Sequence, residues 1–183
     1  MIRFLDILAS LMGLVLLSPL LMLIFIIALL DNGSPLFRQE RIGRYKLPFI
    51  LIKFRTLPMN TVSVASHLLE PVDTTLFGLF LRKTKLDELP QLWNVLKGDM
   101  SLVGPRPGLP NQPELIAARE KLGVFRVRPG ITGFAQISGI DMSTPELLAQ
   151  TDAEMISKMF VRNYFKYIFL TIVGRGGGDR IKS

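Results

Sequence analysis

The chain opens on its longest apolar stretch. From Ile7 to Leu30, 24 positions between Asp6 and Asp31 carry no charge. As one continuous helix this stretch would be about 36 Å long, enough for a hydrocarbon core of about 30 Å. Ser18-Pro19 sits at its midpoint, however. Proline cannot donate to the Val15 carbonyl and its ring crowds the preceding turn, so a kink is predicted there. The Ser18 hydroxyl can bond back to a carbonyl such as that of Leu14, which satisfies part of the opened backbone. Two half-helices of roughly 18 Å each would dip into one leaflet and return. A single spanning helix with a tolerated proline is the alternative. A signal peptide does not fit, having a shorter apolar core and a small-residue cleavage site.

Past Gly33-Ser34-Pro35 the patterns shorten. "PFILIKFRT" (Pro48–Thr56) reads as a strand, with Lys53 and Arg55 two apart and therefore on one face. From Leu57 to Asp73 the periodicity is weak, predicting loop or short helix. "TLFGLFLRKT" (Thr75–Thr84) predicts a helix with Leu76, Leu79 and Phe80 on one face. Glu88–Lys97 predicts another, from Leu89, Leu92, Trp93 and Leu96, with Pro90 in its first turn and Gly98 as its C-terminal cap. "GPRPGLPNQP" (Gly104–Pro113) is a rigid loop presenting Arg106. "RVRPGITGFAQISG" (Arg126–Gly139) predicts stiff turn and strand. Pro145–Val173 predicts one or two amphipathic helices, whose Phe160, Tyr164, Phe165, Tyr167 and Phe169 beside Arg162 and Lys166 suit a membrane interface. The predicted fold class is α+β and mainly helical. A re-entrant membrane hairpin kinked at Ser18-Pro19 (1–34) precedes a compact cytoplasmic catalytic domain with short strands and interfacial amphipathic helices (35–173). A flexible basic tail (174–183) ends the chain.

Charge sharpens this picture. The net charge of +7 suits nucleic acid or an anionic membrane face. Arg38, Arg41, Arg44, Lys46, Lys53 and Arg55 follow the apolar stretch against one acid, Glu40, and Arg3 precedes it. That placement favours the membrane and draws both ends of the hairpin toward the cytoplasm. No nucleic-acid motif is present. The chain has no cysteine, which excludes disulfides, thiolate nucleophiles and Cys-type zinc sites. The sole histidine, His67, is better placed as a structural or surface residue than as a base.

The candidate chemistry lies in "TKLDELPQLWNVLKGDMSLVGPRP" (Thr84–Pro107), where Asp87 stands beside Glu88. Acidic residues at a predicted helix start serve as caps far more often than as catalysts. With cations at Arg82, Lys53, Arg55 and Arg106, the same pair also suits phosphate chemistry. Ionised carboxylates bind Mg²⁺, an aspartate can attack phosphorus, and arginine forks match phosphate oxygens. A membrane-anchored basic scaffold or nucleic-acid-binding protein without catalysis is the competing reading.

"LDELPQLWNVLKGDMSLVGPRP", "FRQERIG", "KFRT" and "RPGITGFAQ" together resemble the bacterial sugar transferase family, the small monotopic phosphoglycosyl transferases. The resemblance runs from Arg3 to about Tyr164. It implies transfer of a sugar-1-phosphate from a UDP-sugar to polyprenol phosphate with release of UMP, on the cytoplasmic face of the bacterial inner membrane. Asp87 then matches a nucleophile that forms a covalent phosphosugar intermediate, with Glu88 completing the dyad and Mg²⁺ held at Asp87. Arg82 and Arg106 match family arginines near the phosphates and nucleotide, and Lys53, Arg55, Pro105 and Gln136 complete the expected donor-binding set. Membrane lipids are implied partners, nucleic acid is not, and homodimerisation is left open. Ile140 follows Gly139 where many family members carry arginine, which leaves the sugar-recognition mode open.

Overall fold

A computed structural model describes residues 1–58 and 75–174. The predicted loop from Met59 to Asp73, His67 within it, and the tail beyond Gly174 lie outside the described residues. Helices α1 (Ile2–Leu16) and α2 (Ser18–Asn32) meet at 64°. Ser18 Oγ donates to the Val15 carbonyl at 2.8 Å. This corrects the expected acceptor, Leu14, by one residue, because the carbonyl left without a donor lies four residues before the proline. Among the described residues no single helix is long and apolar enough to cross a membrane, whereas the bent pair together is.

Strands β1 (Leu36–Ile42) and β2 (Pro48–Phe54) form an antiparallel hairpin, Leu36 opposite Phe54 and Ile42 opposite Pro48. Phe49 and Leu51 of β2 enter a core with Val95 and Met100. Lys53 and Arg55 both reach the Phe37 ring, at 5.8 and 5.5 Å from its centroid, as their two-residue spacing predicts.

Helix α3 (Leu76–Thr84) is capped by Thr75, whose Oγ1 accepts from the Gly78 amide. Its packed side is Gly78, Leu81 and Arg82, while Leu76 and Phe80 stay exposed. The predicted apolar face is therefore not the buried one. A Cβ on Gly78 would stand 2.3 Å from the Thr56 carbonyl oxygen, so only glycine lets α3 approach that backbone so closely.

Helix α4 spans Gln91–Lys97 and starts three residues later than predicted. Glu88 and Leu89 donate to carbonyls three residues back, and so does Trp93 beyond Pro90. Pro90 has no N–H to offer the Leu86 carbonyl, so Leu86–Glu88 closes as a separate 3₁₀ turn. The buried face of α4 is Gln91, Leu92, Asn94 and Val95, and Trp93 is exposed. Gly98 ends the helix at φ 103°, as its predicted cap requires.

Strand β3 (Ser101–Val103) pairs in parallel with β4 (Gly130–Thr132), and α5 (Pro113–Lys121) lies between them in sequence. A short helix α6 (Phe134–Ile137) occupies the stretch predicted as turn and strand. The C-terminal amphipathic stretch is two helices, α7 (Pro145–Ser157) and α8 (Val161–Ile172).

Two polar residues of α1 fasten it to this body. Arg3 donates to the carbonyls of Leu96 and Met100, at the C-terminal end of α4. Asp6, 2% exposed, accepts at Oδ1 from the Ser101 hydroxyl, the Leu102 amide and the Tyr164 hydroxyl, each at 2.9 Å. Burial, reinforced by the Asp6 charge, holds the Tyr164 hydroxyl far above its ordinary pKa, so it remains a donor. Asp6→Ala strands these donors and is expected to cost about 3 kcal/mol. Tyr164→Phe removes one bond and should cost about half that. Thermal unfolding of the detergent-solubilised variants measures both, and an Asp6→Ala effect no larger than that of Tyr164→Phe would contradict the assignment.

Candidate active site

The acidic turn between α3 and α4 places two neighbouring carboxylates inside the protein, Asp87 at 3% and Glu88 at 9% exposure. Lys85, at φ 59°, reverses the chain ahead of it and caps α3. Arg106, carried by the loop after β3, approaches from the opposite side, its Nη1 3.4 Å from Glu88 Oε1. Glu88, Lys53 and Arg106 line one small cleft with Arg41, Gln91 and Gly130. Arg41, also buried, donates to the Pro107 carbonyl at 3.0 Å and so holds the loop beside the cleft.

The other predicted residues are distributed around this centre. Arg82 ends α3, five positions before Asp87, and its Nε donates to Thr56 Oγ1 at 2.8 Å. That bond joins the "KFRT" segment to the helix leading into the acidic turn. Arg55 turns toward Phe37 rather than into the cleft. Gln136, on α6, donates from Nε2 to the Ile131 carbonyl at 3.0 Å, and Ile131 borders the cleft. Pro105 lies instead in a second cleft. Its carbonyl accepts the Gly130 amide. Among the described residues, Arg82 Nη1, Arg55 Nε and Gln136 Oε1 are buried without a hydrogen-bond partner. Orphaned buried polar atoms are uncommon, and none of these three residues lines the cleft itself. Ile140, partly buried, packs against the cluster of Leu115, Ala135 and Leu148.

Three residues that the sequence reading passed over set the geometry. Asn94, 1% exposed, accepts from the Ile52 amide at 3.1 Å and donates to the Ile50 carbonyl at 2.7 Å, docking α4 on β2. Arg119 and Asp152 form a buried ion pair at 2.7 Å, and Arg119 Nη1 donates to the Arg106 carbonyl at 2.8 Å. Burial raises the Asp152 pKa and the Arg119 charge opposes that rise. Asp152 lies four residues after Leu148 and three before Met155, both buried. A charge on the apolar face of α7 was the available signal.

No group of three or more metal-ligating side chains occurs among the described residues. Magnesium keeps several waters and is commonly held by one or two carboxylates plus substrate phosphates. Glu88, which lines the cation-rich cleft, and the neighbouring buried Asp87 are carboxylates of the kind that arrangement takes.

The geometry defines a class: an α+β protein with an apolar bent helix pair at one end and a buried acidic turn ringed by cations. Residues 1–175 match the family described as bacterial sugar transferase, and the chain belongs to that family. It is 34% identical over 187 residues to the UDP-galactose-lipid carrier transferase of Erwinia amylovora, covering 93% of this chain and 39% of the relative. It is 40% identical over 155 residues to the UDP-glucose:undecaprenyl-phosphate glucose-1-phosphate transferase of Caulobacter vibrioides, covering 81% and 58%. The uncharacterized sugar transferase EpsL of Bacillus subtilis is 42% identical over 138 residues, covering 75% and 68%. The chain thus spans about two fifths of the length of the Erwinia relative.

Removing one partner of a buried ion pair leaves the other charge uncompensated. Asp152→Ala is therefore expected to lower stability by about 3 to 5 kcal/mol. Denaturant unfolding measures this, and a change under about 1 kcal/mol would place the pair outside the structural core.

Proposed function

We propose that this protein transfers a sugar-1-phosphate from a UDP-sugar to polyprenol phosphate at the cytoplasmic face of the bacterial inner membrane. The observation that carries this reading is the Asp87–Glu88 turn, two neighbouring buried carboxylates with Arg106 3.4 Å from the second. The relatives' names give the substrate class, one a UDP-galactose-lipid carrier transferase and another a UDP-glucose:undecaprenyl-phosphate glucose-1-phosphate transferase. Because those names specify different sugars, the sugar is left open.

In this reading an Asp87 carboxylate oxygen attacks the phosphorus that bears the sugar, and the bond to the bridging oxygen breaks. UMP leaves with that oxygen, and an aspartyl phosphosugar remains. A phosphate oxygen of the polyprenol phosphate then attacks the same phosphorus and releases Asp87 as a carboxylate. Arg106 and Lys53 hold non-bridging phosphate oxygens, where guanidinium and ammonium donors stabilise charge that builds in the transition state. Arg82 fixes the approach to the turn through Thr56 and offers its second nitrogen to the donor. Glu88, facing Arg106, positions the arginine and orients Asp87. Asp87 would hold Mg²⁺ together with the donor phosphates, and the ion would supply charge neutralisation of the diphosphate.

The bent pair α1–α2 serves as a re-entrant hairpin dipping into one leaflet, with residues 1–34 as membrane unit and 35–173 as catalytic domain. The Ser18 bond to Val15 supports it, because an unsatisfied carbonyl in hydrocarbon costs several kcal/mol. The exposed Phe160, Phe165 and Phe169 around α8 suit the headgroup level.

Asp87→Asn should lower UMP release from UDP-sugars by at least about a thousandfold. Glu88→Gln should lower it by on the order of 10²-fold. Wild-type turnover in Asp87→Asn refutes the covalent route. For topology, a cysteine introduced at the N-terminus, in a chain with none of its own, should react only with a membrane-permeant reagent. Labelling from the periplasmic side would make the pair a broken span.

A further inference from the structure

A second cleft of about 230 Å³ is lined by residues on and after β3, Ser101, Val103, Gly104 and Pro105. Arg3, Arg44, Arg126 and Arg128 line it, and Asp6 is its only carboxylate. Among the described residues none of the four arginines forms an ion pair. Arg3 donates to the Leu96 and Met100 carbonyls, Arg44 to the Arg126 carbonyl and Arg128 to the Gly98 carbonyl. Carbonyls fix the direction of a guanidinium without neutralising it. Arg44 also rests on the Tyr45 ring, 4.4 Å from its centroid. The Arg126 side chain is exposed and makes no hydrogen bond or ion pair among the described residues. Asp6, whose Oδ1 is held by three neutral donors, offsets one of the four positive charges and leaves an excess.

Three oriented guanidiniums and the exposed Arg126, against one carboxylate, form an anion site, and their planar forks match phosphate oxygens. Ile2, Val103, Met155 and Met159 give the cleft apolar walls. We infer that this cleft binds a phosphate-bearing group, separately from the Glu88–Arg106 cleft. The group is either an anionic phospholipid headgroup or a soluble phosphate ester. The first source rests on the membrane reading, because Ile2 and Arg3 begin the hairpin; phosphate recognition itself does not.

The test uses the full chain in neutral detergent and reads thermal unfolding, so it is independent of turnover. In one arm inorganic pyrophosphate is titrated. In the other, dioleoylphosphatidylglycerol replaces dioleoylphosphatidylcholine in mixed micelles. Both arms are run in wild type and in Arg106→Gln, which weakens anion binding at the Glu88–Arg106 cleft. A saturable rise in the unfolding midpoint should persist in Arg106→Gln. Adding Arg126→Gln should raise its half-saturating concentration about tenfold. Arg126→Lys should restore part of the response, and the unliganded midpoint should not move with either substitution. A response to phosphatidylglycerol alone assigns the cleft to headgroups, and one to pyrophosphate alone assigns it to soluble phosphates. Loss of the response in Arg106→Gln with retention in Arg126→Gln overturns the inference, as does no response in either arm. An equal weakening by Lys121→Gln, an exposed charge remote from the cleft, also overturns it, because net charge alone would then explain the binding.

Discussion

Asp6 Oδ1 is the acceptor for three donors that come from parts of the chain far apart in sequence: Ser101, Leu102 and Tyr164. A carboxylate taken out of water costs several kcal/mol unless its lone pairs are met. Meeting them requires the start of α1, the edge of β3 and the face of α8 to converge on one atom. The Tyr164 hydroxyl stays protonated in its buried place and can serve only in the neutral form. Arg3, three residues earlier, ties the same helix to the end of α4. The apolar helix pair is therefore bolted to the body at its first turns, and β3 takes its position from that junction. The loop bearing Arg106 follows β3 directly, so the cation of the acidic cleft is placed by contacts that begin in the hairpin.

The cleft itself is assembled by polar groups that carry no chemistry of their own. Asn94 spends its amide on the backbone of β2, fixing α4 and the turn before it relative to Lys53. Arg119 pairs with Asp152 and reaches the Arg106 carbonyl, so that α5 and α7 together hold the arginine loop from behind. Gly78 admits α3 to the Thr56 backbone, and Arg82 then closes the contact with its bond to the Thr56 hydroxyl. Each device acts on backbone position. Side chains that meet a phosphate must be held to a fraction of an ångström, and backbone anchoring from a buried core achieves that better than surface ion pairs do.

Local rules made much of this legible. The kink at Ser18-Pro19, the cap at Gly98, the strand over Pro48–Phe54 and the rigid loop at Arg106 each follow from a residue whose backbone preference leaves little choice. What the pattern could not supply was which face of a helix is buried. In α3 the conspicuous Leu76 and Phe80 stay exposed, and the small Gly78 makes the contact. In α4 the large Trp93 turns out while Asn94 turns in. Apolar periodicity assumes that apolar faces are the buried ones, and in this chain the hairpin and several aromatic positions are apolar and exposed. The start of α4 was misread for a different reason. Pro90 was taken as a favourable first-turn residue, yet its missing amide split the acidic turn from the helix. Asp6, Arg119 and Asp152 were not legible as partners because each meets its counterpart over a long sequence separation.

The Pro105-Arg106-Pro107 sequence shows how local stiffness and long-range anchoring combine. Gly104 donates to the Thr132 carbonyl, and the Pro105 carbonyl accepts from Gly130, the residue opposite Ser101, so the chain turns back over β4 at the first proline. Neither proline has an amide to continue the ladder, and Pro107 biases Arg106 toward extended backbone. Arg106 therefore leaves the sheet in a direction set by its neighbours. Its carbonyl is taken by Arg119, the Pro107 carbonyl by Arg41, and its guanidinium faces Glu88. Pro105 borders the arginine-lined cleft, whereas Arg106 and Pro107 border the acidic one. One tripeptide thus forms the partition between two cationic clefts. Because each of its residues is pinned independently, an anion bound on one side need not move the wall it shares with the other.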